Sequence, residues 1–321
     1  MKTALICGIS GQDGTYLAQT LLDKSYKVWG TSRDAQVANF NNLTKIGIKD
    51  RVELLSMAPN DFRSVLTAIT RSEPDEIYYL AGQSSVGLSF DQPAETIESI
   101  TLGTLNMLEA IRFINKPIKF YHAGSSECFG DQGHVAANEK TPFNPRSPYG
   151  VAKSSAHWLV SNYREAYGLY ACNGILFNHE SPLRPERFVT KKIISTACRI
   201  AQGSTEKLML GRLDIVRDWG WAPEYVDAMW RMMQQEVPDD YIIATGEASS
   251  LQDFVEESFR LVGLNWRDYV QSDSALFRPT DLAWSQGCAE KAFSDFGWLA
   301  KFTMRDVIRE MIKLTNAEVI K

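Results

Sequence analysis

Apolar and polar positions alternate with two periods along the first half of the chain. Short apolar runs bounded by turn residues predict strands, and the longer stretches between them repeat apolar residues at helical spacing. The predicted strands are Thr3–Cys7, Lys27–Thr31, Val52–Ser56, Glu76–Leu80, Ile118–Gly124 and Ala171–Phe177. The clearest helical patterns are Asp61–Arg71, Ala94–Phe113 and Tyr149–Tyr167. Strands that alternate with helices are typical of an α/β fold with a doubly wound parallel sheet.

This alternation weakens after Phe177. Loops that contain Arg and Lys follow, with short helices such as Leu251–Val262, which starts with a capping box at Ser250 and Asp253. We therefore predict a Rossmann-type, cofactor-binding domain over residues 1–177 and a smaller C-terminal domain, mainly residues 178–321, that binds the substrate. Asp240–Ala244 is predicted to be a strand that returns to the main sheet.

Composition and charge narrow the class of protein. The chain has 321 residues, 44% of them hydrophobic, and a net charge of −5, which favours a globular protein over a general nucleic-acid binder. No apolar stretch approaches 18 residues, and MKTALICG enters a strand at once, so neither a membrane span nor a signal peptide is predicted. The five cysteines are widely spaced, without metal-ligand spacing. We expect reduced thiols in a cytoplasmic protein, and no metal site.

A glycine-rich turn, GISGQDG at residues 8–14, follows the first predicted strand and opens a helical pattern. Gly8 permits a tight turn, Gly11 lets the backbone approach a pyrophosphate, and Gly14 allows the helix to pack closely on the strand. The N-terminus of the helix offers free N–H groups to phosphate oxygens. The turn therefore predicts a dinucleotide site, and its GxxGxxG spacing is that of short-chain dehydrogenases and reductases.

Tyr149 and Lys153 stand four residues apart in the segment SPYGVAK. Residues at this spacing share one face of a helix, so the ammonium should lower the phenol pKa from its usual value of about 10. Such a tyrosine can act as a base toward a sugar hydroxyl. Ser125 and Glu127 follow the fifth predicted strand, at the sheet edge where ligands bind. We therefore expect these four side chains to meet in one crevice.

Several segments together resemble the extended short-chain dehydrogenase/reductase family and, within it, the GDP-mannose 4,6-dehydratases. They run almost from end to end of the chain and include PDEIYYLAGQSSV, TPFNPRSPYGVAK, NGILFNHESPLR and RDWGWAPEYVDAMW. The segments NGILFNHESP and RDWG are the most specific, because general members of the superfamily lack them. The resemblance implies NADP as the cofactor, a nucleotide-diphosphate hexose as the substrate, and loss of water across C5 and C6.

The resemblance and the chemistry of the residues give one mechanism. Tyr149 would take the C4 hydroxyl proton while hydride leaves C4 for the nicotinamide, and Ser125 would hydrogen-bond the same oxygen. Glu127 would remove the C5 hydrogen and then protonate the departing C6 hydroxyl. Return of the hydride to C6 regenerates the cofactor. This predicts a lyase that converts GDP-mannose to GDP-4-keto-6-deoxymannose without net redox change.

Binding residues follow from the glycine turn and from the resemblance, position by position. The predicted cofactor-binding residues, besides Tyr149 and Lys153, are Gly8, Gly11, Gln12, Asp13, Gly14, Arg33, Leu80, Ala81 and Gln83. The predicted substrate-binding residues are Ser84, Ser85, Ser126, Asn178, Glu180, Lys192, Arg212, Arg217 and Arg278. Arginine suits phosphate because its planar fork binds two oxygens at once, whereas a lysine acts as a point charge.

The end of the second predicted strand bears on the choice between NADP and NAD. Thr31 stands where an acidic residue would bind the ribose of NAD, and Arg33 can meet a 2′-phosphate. RDAQVANFNNL replaces the paired-arginine, serine-rich loop that reaches a neighbouring subunit in the family. The oligomer is therefore expected to be a homotetramer or a homodimer, the dimer formed by the helices near residues 94–113 and 149–167.

Three substitutions keep other activities open. Arg212 replaces a family asparagine and Val216 a lysine near the expected nucleotide pocket, while Ser125 replaces a threonine and keeps a hydroxyl. A related 4-keto sugar nucleotide reductase also has Ser-Ser-Glu. The alternatives are thus an NADPH-dependent reductase of that kind, or a 4,6-dehydratase for another nucleotide sugar. A catalytically silent binding protein is disfavoured, because the four candidate catalytic residues are intact.

Overall fold

A parallel sheet of seven strands forms the centre of the chain, which a computed structural model describes over residues 1–319. The strands are β1 (Thr3–Cys7), β2 (Lys27–Ser32), β3 (Glu53–Ser56), β4 (Glu76–Tyr79), β5 (Lys119–Ser125), β6 (Ala171–Leu176), β7 (Asn178–Glu180), β8 (Leu208–Leu210), β9 (Val216–Trp221), β10 (Tyr241–Ile243), β11 (Ala248–Ser250), β12 (Val270–Ser272) and β13 (Trp284–Ser285). The sheet order is β10-β6-β5-β4-β1-β2-β3, and each of its pairings is parallel. The doubly wound parallel sheet predicted from the sequence is confirmed.

Helices cover both faces of this sheet. They are α1 (Gln12–Asp23), α2 (Asn41–Lys45), α3 (Phe62–Ser72), α4 (Val86–Asp91), α5 (Pro93–Ile97), α6 (Gly103–Ile114), α7 (Pro148–Tyr167), α8 (Val189–Ala201), α9 (Ala222–Met233), α10 (Leu251–Leu261), α11 (Glu290–Phe296) and α12 (Met304–Val319). In β1, Ala4 and Ile6 belong to one core with α1 and α9, whereas Leu5 and Cys7 belong to another with α3, α6 and α7. Successive strand residues face opposite sides, so a continuously apolar strand is buried on both.

The helical pattern predicted over Ala94–Phe113 is not one uninterrupted α-helix. Between α5 and α6 the backbone makes a π-helical turn over Glu98–Leu102 while its residues at either end keep right-handed helical dihedrals. A π turn holds an extra residue and therefore widens the helix locally. The segment is helical throughout, as predicted, but the spacing of apolar residues does not reveal the one inserted residue.

The C-terminal third packs around a separate core formed mainly by α8, α10 and α12. β9 pairs with β7 and β13 in parallel and with β11 antiparallel, and β8 pairs with β12. The capping box predicted at the start of α10 is confirmed, since Ser250 and Asp253 exchange hydrogen bonds. β10 leaves this part of the chain and pairs with β6 in the central sheet.

The five cysteines are free thiols, four of them buried and Cys288 partly exposed. Across the described part of the chain, each helix is too short or too polar to cross a bilayer.

Candidate active site

The glycine turn is shaped by contacts inside the protein at two of its three glycines. Gly8 has a φ of +89°, and a Cβ there would lie 3.1 Å from the backbone of Ala81. A Cβ on Gly14 would lie 2.4 Å from the Gly8 carbonyl oxygen, which is closer than carbon and oxygen can approach. Packing of α1 against the turn therefore requires both glycines, as the motif predicts.

Gly11 is different, because the protein itself leaves room for a side chain there. A Cβ on Gly11 would meet only the Gly8 carbonyl oxygen at 3.4 Å, an ordinary contact. Gly11 is also the N-cap of α1, and among residues 1–319 no side chain caps that end. The uncapped N–H groups and the missing side chain form a cradle that fits the pyrophosphate of a dinucleotide.

The structure brings the four candidate catalytic residues to the carboxyl end of β5. Ser125 ends β5, and a 3₁₀ turn over Ser126–Cys128 places Glu127 two residues later, its N–H donating to Ser125 Oγ at 3.3 Å. α7 starts beside them and presents Tyr149 and Lys153, both buried. The Ser125 hydroxyl neighbours the Tyr149 phenol.

Burial dominates the ionisation of these two α7 residues in the protein alone. It raises the pKa of the Tyr149 phenol above its usual value, and the neighbouring Ser125 hydroxyl opposes that rise. The Lys153 ammonium donates to the Ala123 carbonyl at 2.7 Å and lies 5.8 Å from the Tyr149 ring centroid. Burial lowers the pKa of Lys153 to about 8. The expected lowering of the Tyr149 pKa by Lys153 is therefore wrong for the protein alone.

Glu127 faces a cluster of charged groups from distant parts of the chain. Burial raises its pKa, Arg217 and Arg278 oppose the rise, and Asp281 adds to it. Arg217 is buried, donates to the Leu282 carbonyl at 2.8 Å and pairs with Asp281 at 3.1 Å. Arg278 lies 3.5 Å from the same Asp281 oxygen.

The sequence analysis missed Asp281, although its segment FRPTD places it three residues after Arg278. Here an arginine and a carboxylate three residues apart form an ion pair. Arg217, 64 residues earlier in the chain, joins them only through the fold. The spacing within FRPTD could have suggested the Arg278–Asp281 pair, but nothing in that segment indicates the contact with Arg217.

Gln12 and Asp13, predicted to bind the cofactor, are held by groups around β7. The Gln12 amide donates to the His179 carbonyl at 3.1 Å and accepts from the Ser181 hydroxyl at 2.8 Å. Asp13 lies 3.0 Å from His179 Nε2. Burial disfavours both ions, but their mutual attraction raises the pKa of His179 and lowers that of Asp13. His179, which the sequence analysis did not select, thus connects the glycine turn to β7.

Several predicted substrate-binding residues are engaged within the protein. Glu180 is buried, accepts from the Thr190 hydroxyl at 2.6 Å and pairs with Arg184 at 3.2 Å. Lys192 donates to the Met209 carbonyl at 2.7 Å. Arg212 pairs with its neighbour Asp214 at the surface, and Asn178 lies in β7 opposite Trp219 of β9. Of the predicted cations, Arg217 and Arg278 are the two brought to Glu127.

The loop after β4, predicted to pass beneath the cofactor, is held by its own side chains. The Gln83 amide donates to the Ser85 carbonyl at 2.8 Å, and the Ser85 hydroxyl caps α4. Leu80 and Ala81 are partly buried, and Ser84 is exposed. Ser126 is buried next to Ser125. Arg33, after β2, has 83% of its side chain exposed and lies 3.7 Å from Glu95.

Comparison with known proteins identifies relatives of this chain. The profile of the family described as GDP-mannose 4,6 dehydratase matches residues 5–311. The chain belongs to this family. GDP-mannose 4,6 dehydratase 1 of Arabidopsis thaliana is 46% identical over 321 aligned residues, which cover 97% of this chain and 89% of that protein. The GDP-mannose 4,6-dehydratase of Sinorhizobium fredii is 44% identical, with 97% and 96% covered. The predicted hydro-lyase class and family are confirmed.

Solved structures share the fold at low sequence identity. The dTDP-glucose 4,6-dehydratase of Bacillus anthracis, solved with NAD, superposes with a TM-score of 0.86 at 20% identity, covering 99% of this chain and 97% of that one. The UDP-glucose 4-epimerase of Thermus thermophilus, solved with NAD, gives 0.85 at 23%, covering 98% and 99%. The RMD protein of Pseudomonas aeruginosa, solved with NADPH, gives 0.81 at 20%, covering 99% and 100%. At these identities the likeness shows the fold alone.

Proposed function

We propose that the protein acts on GDP-mannose as a 4,6-dehydratase, with NADP bound at the glycine turn. The observation on which this depends is the meeting of Ser125, Glu127, Tyr149 and Lys153 at the end of β5, beside the charged groups of residues 217–281. We propose further that residues 1–177, with β10, hold the cofactor, and that residues 178–321 mainly hold the nucleotide sugar.

Tyr149 removes the proton of the C4 hydroxyl, and Ser125 holds that oxygen by a hydrogen bond. A nicotinamide held at the glycine turn would supply the hydride chemistry between C4 and C6, and solvent would supply the proton that completes C5. In the protein alone the phenol is protonated, because burial raises its pKa. Lys153, held by the Ala123 carbonyl, brings positive charge to the same face of α7, and that charge favours the phenolate when the site is filled.

Glu127 acts twice, first as a base at C5 and then as an acid toward the C6 hydroxyl. Burial raises its pKa, which makes the carboxyl group a better proton acceptor than an exposed glutamate. Arg217 and Arg278 oppose that rise in pKa and face the sugar or its diphosphate. Asp281 fixes both arginines, so the cluster is organised before the substrate binds.

The remaining assignments follow the same proposal. Arg33 meets the 2′-phosphate of NADP, since its side chain is mostly exposed just after β2 and its ion pair with Glu95, at 3.7 Å, is loose. The cofactor-binding residues of the glycine turn and of the loop after β4, and the substrate-binding residues named above, keep their proposed roles. Free thiols throughout support a reducing compartment, and we propose the cytoplasm.

We also propose a homo-oligomer. Phe113, Trp158 and Tyr167 are 73%, 61% and 48% exposed on α6 and α7, the helices predicted to form a dimer contact. Large exposed apolar side chains on neighbouring helices favour association. Light scattering of the wild type and of Trp158→Glu tests this, because a charged side chain in the contact should shift the protein toward monomer.

The deciding experiment incubates purified protein with GDP-mannose and NADP and measures products by mass spectrometry. A product lighter by one water, with GDP retained and no net change in NADPH absorbance, is the expected result. Consumption of NADPH with a keto-sugar would instead support the reductase. Lack of any product with NADP present, followed by turnover of another nucleotide sugar, would move the activity to the other 4,6-dehydratase.

A further inference from the structure

The π-helical turn of Glu98–Leu102 lies between the loop after β4 and helix α7. Its middle residues contact both the loop after β4 and helix α7. π turns are uncommon and occur often at functional sites. The loop after β4, residues 80–85, is called the cofactor loop below. The π turn joins this loop to the face of α7 that presents Tyr149 and Lys153, and these two parts of the proposed site must keep a fixed distance.

Ser99 holds the loop and the strand that leads into it. Its hydroxyl accepts a hydrogen bond from the Gln83 N–H at 3.2 Å, and its carbonyl accepts one from the Tyr79 hydroxyl at 2.7 Å. A Cβ on Gly103 would lie 2.0 Å from the Tyr79 hydroxyl, so that hydroxyl reaches Ser99 only because residue 103 has no side chain. Both contacts position the segment between Tyr79 and Gln83.

Thr101 holds the catalytic helix. Its hydroxyl donates to the Ala152 carbonyl at 3.1 Å, and Ala152 lies between Tyr149 and Lys153 on α7. A carbonyl oxygen of α7 thus has a partner outside its own helix. This contact restrains the part of α7 that presents the two catalytic side chains.

Ile100 fills the space between the two contacts. It is fully buried and packs in one small core with Tyr149, Ala152 and Ala156. A Cβ on Gly82 would lie 2.8 Å from Ile100 Cγ1, so the loop approaches this side chain as closely as a glycine permits. Three consecutive residues of the turn therefore contact the loop, the tyrosine and the helix.

We propose that the π turn is a positioning element that sets the distance between the cofactor loop and Tyr149, with Ser99 acting on the loop and Thr101 on α7. The inference rests on the proposed function, because NADP is the proposed ligand of the loop. An α-helical turn of the same segment would hold one residue fewer and could not present these contacts together. Small displacements of a positioning group have large effects on rate.

The first test compares Ser99→Ala with Ser99→Thr and with Ser72→Ala. Ser72 is the matched control, since its hydroxyl bonds to the Ala68 carbonyl at 2.8 Å within α3, away from the loop. Loss of the Gln83 contact should raise the Kd for NADP by about fivefold, the effect of one hydrogen bond, with kcat at saturating NADP nearly unchanged. Ser99→Thr keeps the hydroxyl and should restore binding. Binding is measured by calorimetry, independently of turnover.

The second test uses Thr101→Val, which keeps the shape of the side chain and removes its donor. It should lower kcat by about fivefold and leave the Kd for NADP unchanged. Ser99→Ala should do the reverse, raising the Kd and leaving kcat nearly unchanged. Equal effects of both variants on Kd and kcat, or no effect of Ser99→Ala beyond that of Ser72→Ala, would overturn the positioning role. If the wild type itself binds no NADP, the proposed function fails instead.

Discussion

The two sides of the crevice are built by different means. The glycine side (Gly8, Gly11 and Gly14) is shaped by backbone, which at Gly14 lies so close that one added carbon atom would collide with the Gly8 carbonyl oxygen. The charged side (Glu127, Arg217, Arg278 and Asp281) is shaped by side chains from segments far apart in the chain. The first should therefore be sensitive to volume and the second to charge, and the substitutions below separate the two.

Glu127→Gln should have the largest effect and break the charged side without changing its shape. An amide cannot accept the C5 proton, so turnover of GDP-mannose should fall by about a hundredfold or more. Thermal stability should change little, because the two side chains have the same size. Glu53→Gln, at an exposed position of β3, is the control. Normal product formation by Glu127→Gln would remove the residue from catalysis.

Asp281→Ala should have the next largest effect, on stability. It removes the carboxylate that pairs with buried Arg217, and breaking a buried pair costs about 3 kcal/mol of unfolding free energy. Asp214→Ala breaks the exposed pair with Arg212 and should cost far less. Urea denaturation of both variants gives the comparison. Equal losses would mean that Arg217 gains nothing from Asp281.

On the glycine side, Gly14→Ala and Gly11→Ala should separate folding from binding. The first forces a Cβ against the Gly8 carbonyl and should lower the unfolding free energy by about 2 kcal/mol. The second finds room in the protein alone, so stability should stay near that of the wild type while NADP binding weakens. Thermal denaturation and calorimetry measure the two effects. Gly11→Ala with unchanged NADP affinity would contradict the proposed pyrophosphate cradle.

The charge of Lys153 should make both activity and stability depend on pH. Its pKa of about 8 in the folded protein lies below the ordinary 10.5, so the ammonium is lost as pH rises through about 8, and kcat/KM should fall there. Between pH of about 8 and 10.5 this lysine binds more protons in the unfolded chain than in the folded protein. Its contribution to folding stability therefore increases with pH in that range. Lys153→Arg stays charged and should shift the basic limb upward, whatever its absolute rate. If the basic limb of the pH profile did not move in this variant, a group other than Lys153 would be responsible for it.

Arg33→Ala should have the smallest effect. The side chain is mostly exposed, and exposed charge pairs contribute little, so the preference for NADP over NAD should fall by about fivefold. Arg51→Ala, another exposed arginine, serves as the control and should leave the preference unchanged. Ratios of Kd for the two cofactors measure it. An unaltered ratio in Arg33→Ala would show that other residues read the 2′-phosphate.

Features that depend on neighbouring residues in the chain could be predicted from the sequence, and features that depend on residues far apart could not. The strands of the central sheet and the glycine turn are local patterns, and the structure reproduces the sheet within one residue at most strand ends. The π turn escaped prediction because no local pattern marks it; its contacts with Tyr79, Gln83 and Ala152 come from other elements. The Asp13–His179 pair joins residues 166 apart and left no local signal either.

The sequence by itself determined the parallel sheet, the glycine turn at residues 8–14 and the shared helical face of Tyr149 and Lys153, because backbone conformation and periodicity act over a few residues. The tertiary structure decided which charges meet Glu127 and how burial shifts ionisation. Lys153 was expected to lower the pKa of Tyr149, yet burial raises it. Desolvation depends on everything packed around a group, and spacing along a helix does not contain that information.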